Sequence, residues 1–506
     1  MADDRGGEQR VVTDKFDAIV VGGGPAGAAA GWALARRGIN VAIVERAIFP
    51  REKVCGDFVE PAGLRLLEAM GCTAALGLDQ RMPITRNRVY FGPRMPYAGE
   101  IPYYDGAHGM PPHGYIIPRD QLDTVLLANA EAKGAKVFRA TAAKNLRRED
   151  GQMILTVAQG DSVREISAPM VVGADGVQSV VARHAGLGRS DRRHIGVSQR
   201  VYIEDIDVEP GEACIWFDED HYPGYGWMFP MSGGRANMGV GLLSETCDRF
   251  GMSVQQCFRE AVDRLRIRHP GCANARLASK PLGGAVHMYG GITRNHFAGG
   301  VLVGDAGGFV DPMTGEGITQ GMESSIIASR TVAEALERGR FEQDDLVRYD
   351  EEFRAHFDPA MGYLVFCATV LRNRHFAEFG FRSTRQGFER AQHDHDFASV
   401  SGTAFGGLNV QPLAMIGQVW MAIAETLVRQ GPGALLALAG GRNSGNELAG
   451  DWLAWQRGWR ASVADDAAWH VRWLGDIMAA AGKLGPSLKT RENPRLRGPL
   501  AQEMAR

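Results

Sequence analysis

Three glycines near the start of the chain have the spacing of a loop that binds the pyrophosphate of a dinucleotide: Gly22, Gly24 and Gly27. An apolar run at 17–21 precedes them and an alanine-rich segment at 28–37 follows, which predicts a buried strand and then a helix. In such a loop Gly22 permits the turn, Gly24 lets the backbone approach the anion and Gly27 lets helix and strand pack closely. The N-terminus of the helix then faces the negative charge.

A carboxylate stands where a dinucleotide-binding unit needs one. The apolar run 41–44 predicts a second strand, and Glu45 follows it directly. An acid about twenty residues after the glycine loop binds the ribose hydroxyls of the nucleotide. Strand, loop, helix, second strand and terminal acid together indicate dinucleotide binding more strongly than the glycine spacing does alone.

Two later segments repeat the pattern of an apolar strand followed by an acid. Asp175 and Gly176 follow the run 171–174, and Asp175 could accept hydrogen bonds or cap the next turn. Asp305 ends a third apolar strand and could bind a sugar-like hydroxyl. Beyond it, glycines at 315–317 open a predicted helix over 319–336, whose start favours negative charge of the kind that a reduced flavin develops.

Composition limits the class of protein. The chain has 506 residues and a net charge of −3, which argues against nucleic acid as a partner. Its seven cysteines are scattered without paired spacing, which predicts reduced thiols in the cytoplasm and no metal site. The polar N-terminus lacks a signal-peptide pattern, and no run of apolar residues is long enough to predict a spanning helix.

The order of the motifs predicts an α/β protein: a Rossmann-like domain that binds the nucleotide, an inserted β-rich (α+β) substrate domain and a helical C-terminal extension. The nucleotide-binding domain is expected to be discontinuous, over 15–190 and 296–340. The substrate domain is expected at 191–295, where alternating apolar residues predict strands. Residues 1–14 are expected to be a disordered lead, and 341–506 to be helical.

The three motifs resemble the three fingerprints of FAD-dependent oxidoreductases with the para-hydroxybenzoate hydroxylase fold. The resemblance implies that the glycine loop and Glu45 bind the ADP half, that Asp305 binds the ribityl chain and that 315–317 lie along the isoalloxazine. It also places Arg119 near the sugar and phosphates, although a salt bridge at a helix start is the other interpretation. The predicted FAD-binding residues are Gly22, Gly24, Pro25, Ala26, Gly27, Glu45, Arg46, Cys55, Gly56, Arg119, Asp175, Gly304, Asp305, Pro312, Gly315, Gly317 and Ile318.

Two further stretches are similar to signatures of the geranylgeranyl reductases, and the resemblance covers about residues 15–370. The first is the Lys-x-Cys-Gly segment at 53–56, and the second is Tyr-x-Trp-x-Phe-Pro at 225–230. The family implies FAD-dependent reduction of carbon–carbon double bonds in an isoprenoid or another apolar substrate.

The candidate catalytic residues are Cys55, Tyr225 and Trp227. Tyr225, Trp227 and Phe229 alternate along a predicted strand, so they share one face and could form an apolar wall beside the flavin. The alternative is a strip of aromatic core. Cys55 could shape the pocket or deliver a proton, whereas most free cysteines are inert and buried.

Other reactions on the same fold are alternatives to double-bond reduction. A monooxygenase acting on an aromatic or polyketide-like substrate is the main alternative, because no motif excludes it. Halogenation is a minor one, because the halogenase segment has Trp and Ile where this chain has Tyr225 and Phe229. No cysteine follows Cys367, which argues against a C-terminal iron–sulfur cluster.

The sequence does not identify the electron donor, and it leaves two interpretations of the C-terminal region. A second glycine motif in a strand–helix unit is missing, so NAD(P)H would bind without its own Rossmann domain, or a ferredoxin-like or quinol donor would supply electrons. Tryptophans recur at helical spacing over 452–459. They favour a helical cap over the substrate channel, and peripheral contact with a membrane is the other possibility. The acidic and imidazole groups at 392–396 are interpreted as solvated rather than metal-binding, and the sequence makes no prediction of the oligomeric state.

Overall fold

A computed structural model describes residues 12–91, 96–100, 110–188, 191–217, 224–377, 389–398, 400, 412–439 and 447–489. The helices are α1 (Pro25–Ala35), α2 (Pro61–Ala69), α3 (Arg119–Ala132), α4 (Val180–His184), α5 (Ser244–Phe250), α6 (Val254–Arg268), α7 (Ile318–Arg338), α8 (Val347–Leu371), α9 (Pro412–Ala439), α10 (Glu447–Asp465), α11 (Ala467–Gly482) and α12 (Gly485–Lys489). The strands are β1 (Val12–Lys15), β2 (Ala18–Val21), β3 (Val41–Val44), β4 (Phe58–Val59), β5 (Pro83–Ile84), β6 (Arg86–Phe91), β7 (Pro96–Glu100), β8 (Gly114–Ile116), β9 (Lys136–Phe138), β10 (Ala142–Glu149), β11 (Gln152–Gln159), β12 (Ser162–Ala168), β13 (Met170–Gly173), β14 (Ile195–Glu204), β15 (Glu212–Phe217), β16 (Gly224–Met231), β17 (Arg235–Leu243), β18 (Arg276–Leu277), β19 (Leu282–His287), β20 (His296–Phe297) and β21 (Gly300–Leu302).

A six-stranded sheet brings the three predicted motifs to one edge. Its strand order is β20-β21-β13-β2-β3-β9, and every pair is parallel except β20–β21. The short apolar runs form β2, β3 and β13, which are buried along their whole length, as expected for parallel strands covered on both faces. Since the carboxyl ends of parallel strands meet at one edge, the loops after β2, β3, β13 and β21 lie together there. The predicted Rossmann-like α/β fold class is confirmed.

An eight-stranded sheet forms the second large layer. Its order is β18-β14-β17-β16-β15-β6-β7, with β19 paired to β14. One face is apolar and packs on α6, where Met228 and Trp216 lie in the same core cluster as Phe258 and Leu265. Because side chains alternate along β16, Tyr225, Trp227 and Phe229 lie on the opposite face of the sheet.

The structure differs from the predicted domain boundaries in three places. Residues 12–15 form β1, which pairs with β12, so the predicted disordered lead is wrong over 12–14; residues 1–11 lie outside the described part of the chain. The large sheet also takes β6 and β7 from the portion assigned to nucleotide binding, because β6 pairs in parallel with β15. Finally, α8 packs into the core beside the six-stranded sheet, where Phe353 and Phe357 contact the ring of Phe309. Each exception depends on contacts between residues far apart in sequence.

The C-terminal helices pack onto α8. The indole of Trp473 on α11 donates to the carbonyl of Thr369 (2.8 Å), and Trp459 on α10 lies 6.1 Å from the Trp473 ring, measured between centroids. Within the described ranges, no helix has both the length and the apolar character that crossing a bilayer requires. Over the same residues, no group of three or more His, Cys, Asp or Glu side chains could hold a metal ion.

Candidate active site

The glycine turn leaves no room for side chains. Gly22 has a φ of +105°, and a Cβ there would lie 2.3 Å from the carbonyl oxygen of Ala174. A Cβ on Gly27 would lie 1.8 Å from the carbonyl oxygen of Gly22, because α1 begins directly against the turn. Around Gly24 the space is open, with no atom closer than 3.6 Å to an added Cβ. The backbone is therefore tightly packed at Gly22 and Gly27, while the space at Gly24 is open, as a pyrophosphate site requires.

Glu45 is held in place by the backbone. One carboxylate oxygen accepts from the N–H of Gly23 (2.7 Å) and the other from the N–H of Ala47 (2.7 Å). The side chain is buried yet borders the cavity described below. The amides fix the carboxylate in one orientation, so its remaining lone pairs can accept from two neighbouring hydroxyls.

Two arginines lie against the glycine turn. Arg119 begins α3 and binds Asp123 through two hydrogen bonds (2.7 and 2.8 Å), while Arg51 contacts the same carboxylate at 2.9 Å. A Cβ on Gly24 would lie 3.6 Å from the Arg51 guanidinium and 3.9 Å from that of Arg119. Two cations share one carboxylate, so a net positive charge faces the turn. The salt bridge at the helix start is therefore present, whereas contact of Arg119 with the sugar and phosphates stays a prediction. Arg51 was not predicted, although it belongs to the segment around Cys55.

The carboxylate of Asp175 accepts hydrogen bonds from the turn that follows it. Its carboxylate accepts from the Ser179 hydroxyl and from the N–H of Val180 (2.6 Å), and Ser179 in turn caps α4. Burial raises the pKa of Asp175, against the effect of these hydrogen bonds. The side chain borders the cavity, so its predicted contact with the cofactor stays a prediction beside the capping contact that the structure displays.

The loop before α7 is shaped by Asp311, which was not among the predicted site residues. Asp311 accepts from the N–H groups of Met313 (2.7 Å) and Thr314 (3.0 Å), which folds the segment 312–315 into a turn. Gly315 follows with a φ of +70° and donates to the Asp311 carbonyl. This turn places the first residues of α7 at the edge of the cavity, where the N-terminal end of a 21-residue helix favours negative charge. The Asp-Pro pair at 311–312 was the available signal, because Asp commonly bonds its own following turn.

One cavity of about 1050 Å³ joins these elements. It is bordered by every predicted FAD-binding residue except Gly27, which lies beneath the turn. Asp305 borders it from a 3₁₀ turn at 304–307, which packs against Ala26 at the start of α1. Further along, the cavity is lined by apolar side chains of the large sheet and α8: Ile215, Phe217, Tyr225, Trp227, Phe229, Leu242, Val286, Ala368 and Leu371.

The aromatic residues of β16 form a continuous face on this cavity. The rings of Tyr225 and Trp227 lie 6.0 Å apart, and Trp227 stacks on Phe229 at 6.3 Å. The Trp227 indole donates to Asn237 (3.0 Å), which fixes the ring over Gly239. The hydroxyl of Tyr225 donates to the carbonyl of Thr314. This contact ties the aromatic wall to the loop before α7, so Tyr225 positions that loop; a catalytic role for it stays a prediction.

Cys55 lies between the glycine turn and the aromatic wall. The Cys55 carbonyl accepts from Arg200 (3.2 Å) and Asn237 (2.9 Å), which holds the segment in place. A Cβ on the next residue, Gly56, would approach the Phe229 ring to 2.9 Å, so glycine lets the segment lie on the wall. Burial raises the pKa of the Cys55 thiol, although the Arg119 guanidinium acts in the opposite direction. The thiol is therefore protonated at neutral pH and can act as a proton donor.

The donor set fits FAD. The accessible glycine turn with two cations matches a pyrophosphate, fixed Glu45 matches ribose hydroxyls, and the start of α7 matches the anionic edge of a reduced flavin. Residues 15–361, more than half of the chain, match the family model described as FAD binding domain. Fold and site thus define an FAD-dependent oxidoreductase.

Relatives specify the family further. The chain is 33% identical over 350 residues to digeranylgeranylglycerophospholipid reductase 2 of Methanothermobacter thermautotrophicus, covering 67% of this chain and 83% of the relative. It is 29% identical over 334 residues to menaquinone reductase of Mycobacterium tuberculosis, covering 63% and 76%. A geranylgeranyl bacteriochlorophyll reductase-like structure from Thermoplasma acidophilum superimposes with a TM-score of 0.67 at 22% identity, covering 83% of this chain and 99% of that one. The chain belongs to the geranylgeranyl reductase family of FAD-dependent oxidoreductases, as its Lys-x-Cys-Gly and Tyr-x-Trp-x-Phe-Pro segments predicted.

Proposed function

We propose that this protein reduces carbon–carbon double bonds in an isoprenoid chain or a similarly apolar lipid. The observation that carries the proposal is one cavity that runs from the glycine turn past Cys55 to the aromatic wall of β16. Its two ends differ in chemistry: cations and backbone amides at the first, aromatic and aliphatic side chains at the second. Relatives named as reductases of a geranylgeranyl lipid and of menaquinone support the same class of substrate.

FAD, once reduced, supplies hydride to one carbon of the double bond. The residues of this chain orient the substrate and provide the proton for the other carbon. Trp227 and Phe229 present flat apolar surface, which binds a prenyl chain by burial and keeps water away from the reacting carbons. The protonated thiol of Cys55 lies beside that surface and gives its proton to the second carbon.

Rapid mixing tests the proposal against a monooxygenase. Anaerobically reduced protein is mixed with geranylgeranyl diphosphate or with aerated buffer, and the flavin absorbance is followed. We expect flavin oxidation by the prenyl compound without oxygen, and slow, featureless oxidation by oxygen alone. Indifference to the prenyl compound together with a transient oxygen-dependent intermediate would support the monooxygenase instead.

Replacing Asp305 by Ala is expected to weaken FAD binding. Loss of a hydrogen bond between a carboxylate and a ribityl hydroxyl lowers the affinity by about 10- to 100-fold, from roughly 1.5–3 kcal/mol. Titration of the apoprotein with FAD, followed by flavin fluorescence, measures the change. The control is Asp344→Ala, an exposed acid that does not line the cavity. Unchanged affinity in Asp305→Ala would remove the ribityl assignment.

We also propose that the C-terminal helices touch the lipid surface that holds the substrate. Val471, Leu474 and Met478 lie at i, i+3 and i+7 on one face of α11 and are 68%, 48% and 75% exposed. Exposed cationic side chains, Arg472 and Lys483, flank them on the same helix region. Apolar side chains bordered by cations are typical of helices that lie at an anionic membrane interface.

Vesicle sedimentation measures this contact. The double variant Val471→Glu/Met478→Glu is expected to bind vesicles with anionic lipid about tenfold less than the unaltered protein, since two buried apolar contacts are replaced by repelled charges. The matched control is Ile267→Glu, an isolated apolar side chain on α6 that is 85% exposed. Equal loss in both variants, or none in either, would contradict a specific contact through α11.

A further inference from the structure

The wall of the cavity holds a buried acid close in sequence to the proposed proton donor. Asp57 is two residues after Cys55, borders the cavity and is 0% exposed. Its backbone has a φ of +61°, and its carbonyl accepts from the N–H of Ile117 (2.8 Å). The chain thus adopts an unfavourable backbone conformation in order to place a carboxyl group in the cavity wall.

The two oxygens of this carboxyl group have different surroundings. Oδ2 accepts from the Tyr202 hydroxyl (2.5 Å) and from the Asn237 amide (2.8 Å). Oδ1 is buried and, within the described part of the chain, has no hydrogen-bond partner. A buried oxygen of an ionised carboxylate without a donor is strongly unfavourable, whereas a carboxyl group protonated on Oδ1 keeps both bonds to Oδ2 and loses the charge.

Asp57 and Cys55 are joined by the same side chains. Asn237 donates to both the Cys55 carbonyl and the Asp57 carboxyl group. Arg200, which is 1% exposed, donates to the Cys55 carbonyl and lies over the Tyr202 ring, 4.4 Å from its centroid. A change in the charge of Asp57 therefore alters the electrostatic environment of Cys55.

We propose that Asp57 is the proton reservoir for Cys55, a positioning residue that restores the thiol after each turnover. This inference rests on the proposed double-bond reduction. As hydride forms the first C–H bond, the S–H bond of Cys55 breaks and its proton forms the second, leaving a thiolate. The Oδ1–H bond of Asp57 then breaks, through water admitted between turnovers, and the thiol forms again. The Asp57 carboxylate takes its next proton from solvent.

The charged groups around Asp57 agree with this exchange. Arg200 and Tyr202 face it from β14, Asn237 from β17 and Arg119 from α3. Burial raises the pKa of Asp57 from 3.8 to about 6, against the opposing effect of all four groups. Because the pKa of Cys55 is raised above its ordinary value, transfer from the Asp57 carboxyl group to a Cys55 thiolate is downhill.

Asp57→Asn in the FAD-loaded protein tests the proposal. The amide oxygen of Asn can accept the hydrogen bonds that Tyr202 and Asn237 donate to Oδ2 of Asp57, and Asn tolerates the positive φ. Its side chain cannot release a proton. In the unaltered protein, steady-state turnover is expected to fall as the pH rises through about 6, where the carboxyl group ionises. In Asp57→Asn, turnover is expected to be about 10²-fold lower, with that pH dependence removed. The control Asp350→Asn, a buried hydrogen-bonded acid outside the cavity lining, should keep the original pH profile.

Alkylation of Cys55 gives a second measurement that does not need turnover. The modified peptide is quantified by mass spectrometry after iodoacetamide treatment over a pH series. Because the Asp57 charge raises the pKa of Cys55, Asp57→Asn should shift its alkylation to lower pH. An unchanged turnover profile or an unchanged alkylation profile would overturn the proposal. If the unaltered protein reduces no prenyl compound at all, the proposed function fails, and the alkylation profile still tests the link between the two residues.

Discussion

Gly27→Ala is expected to purify without bound FAD. The added Cβ would lie 1.8 Å from the Gly22 carbonyl oxygen, and that oxygen belongs to backbone packed against Ala174. Neither α1 nor the turn can move without opening the proposed pyrophosphate site, so the affinity for FAD should fall by about 100-fold or more, from roughly 3 kcal/mol of overpacking. The absorbance ratio of flavin to protein, and a titration of the apoprotein with FAD, measure the change.

The matched control is Gly475→Ala on α11. An added Cβ there meets no atom within 4 Å, and the residue is helical. This substitution should leave FAD content unchanged, and it should slightly favour the helix. Full FAD occupancy in Gly27→Ala would show that the turn is not where the pyrophosphate binds.

Cys55→Ser is expected to lower the rate of double-bond reduction by about 10²-fold or more, because a hydroxyl is a much weaker proton donor than a thiol. FAD content and the rate at which the flavin is reduced should change little, since serine fills nearly the same volume. The rate of flavin oxidation by the prenyl compound, measured without oxygen, reports the affected step.

Cys247→Ser serves as the control for a thiol lost elsewhere. Cys247 is partly buried and packs against the core of the large sheet, away from the cavity lining. The Cys247→Ser variant should reduce the double bond at the original rate. A Cys55→Ser variant that is as fast as the unaltered protein would show that Cys55 is only a packing residue.

Much of the local structure around the candidate nucleotide site could be predicted because its determinants lie close together in the sequence. The glycine turn, the strand at 41–44 and Glu45 form one continuous unit, and the structure reproduces that strand with the predicted bounds. The predicted helix 319–336 corresponds to α7 (Ile318–Arg338), since its glycine-rich start and long amphipathic pattern lie in one segment. For the same reason the two family signatures could be recognised without knowing the fold.

What the sequence did not reveal depends on residues far apart in the chain. Asp57 follows a predicted residue, but its environment is made by Tyr202 and Asn237 from two later strands. Strands β6 and β7 join the large sheet through a pairing across more than a hundred residues, which no local pattern signals. Arg51 pairs with Asp123 on a separate helix. These side chains acquire their roles only when the sheets are assembled.

Product analysis after a single anaerobic turnover tests the central claim most directly. The FAD-loaded protein is reduced chemically, freed of excess reductant and mixed with a geranylgeranyl lipid, and the lipid is examined by mass spectrometry. We predict a product that carries two additional hydrogens for each FAD oxidised, with no added oxygen, and almost none of it in Cys55→Ser. A lipid that returns unchanged anaerobically, or that gains oxygen once air is admitted, would contradict double-bond reduction.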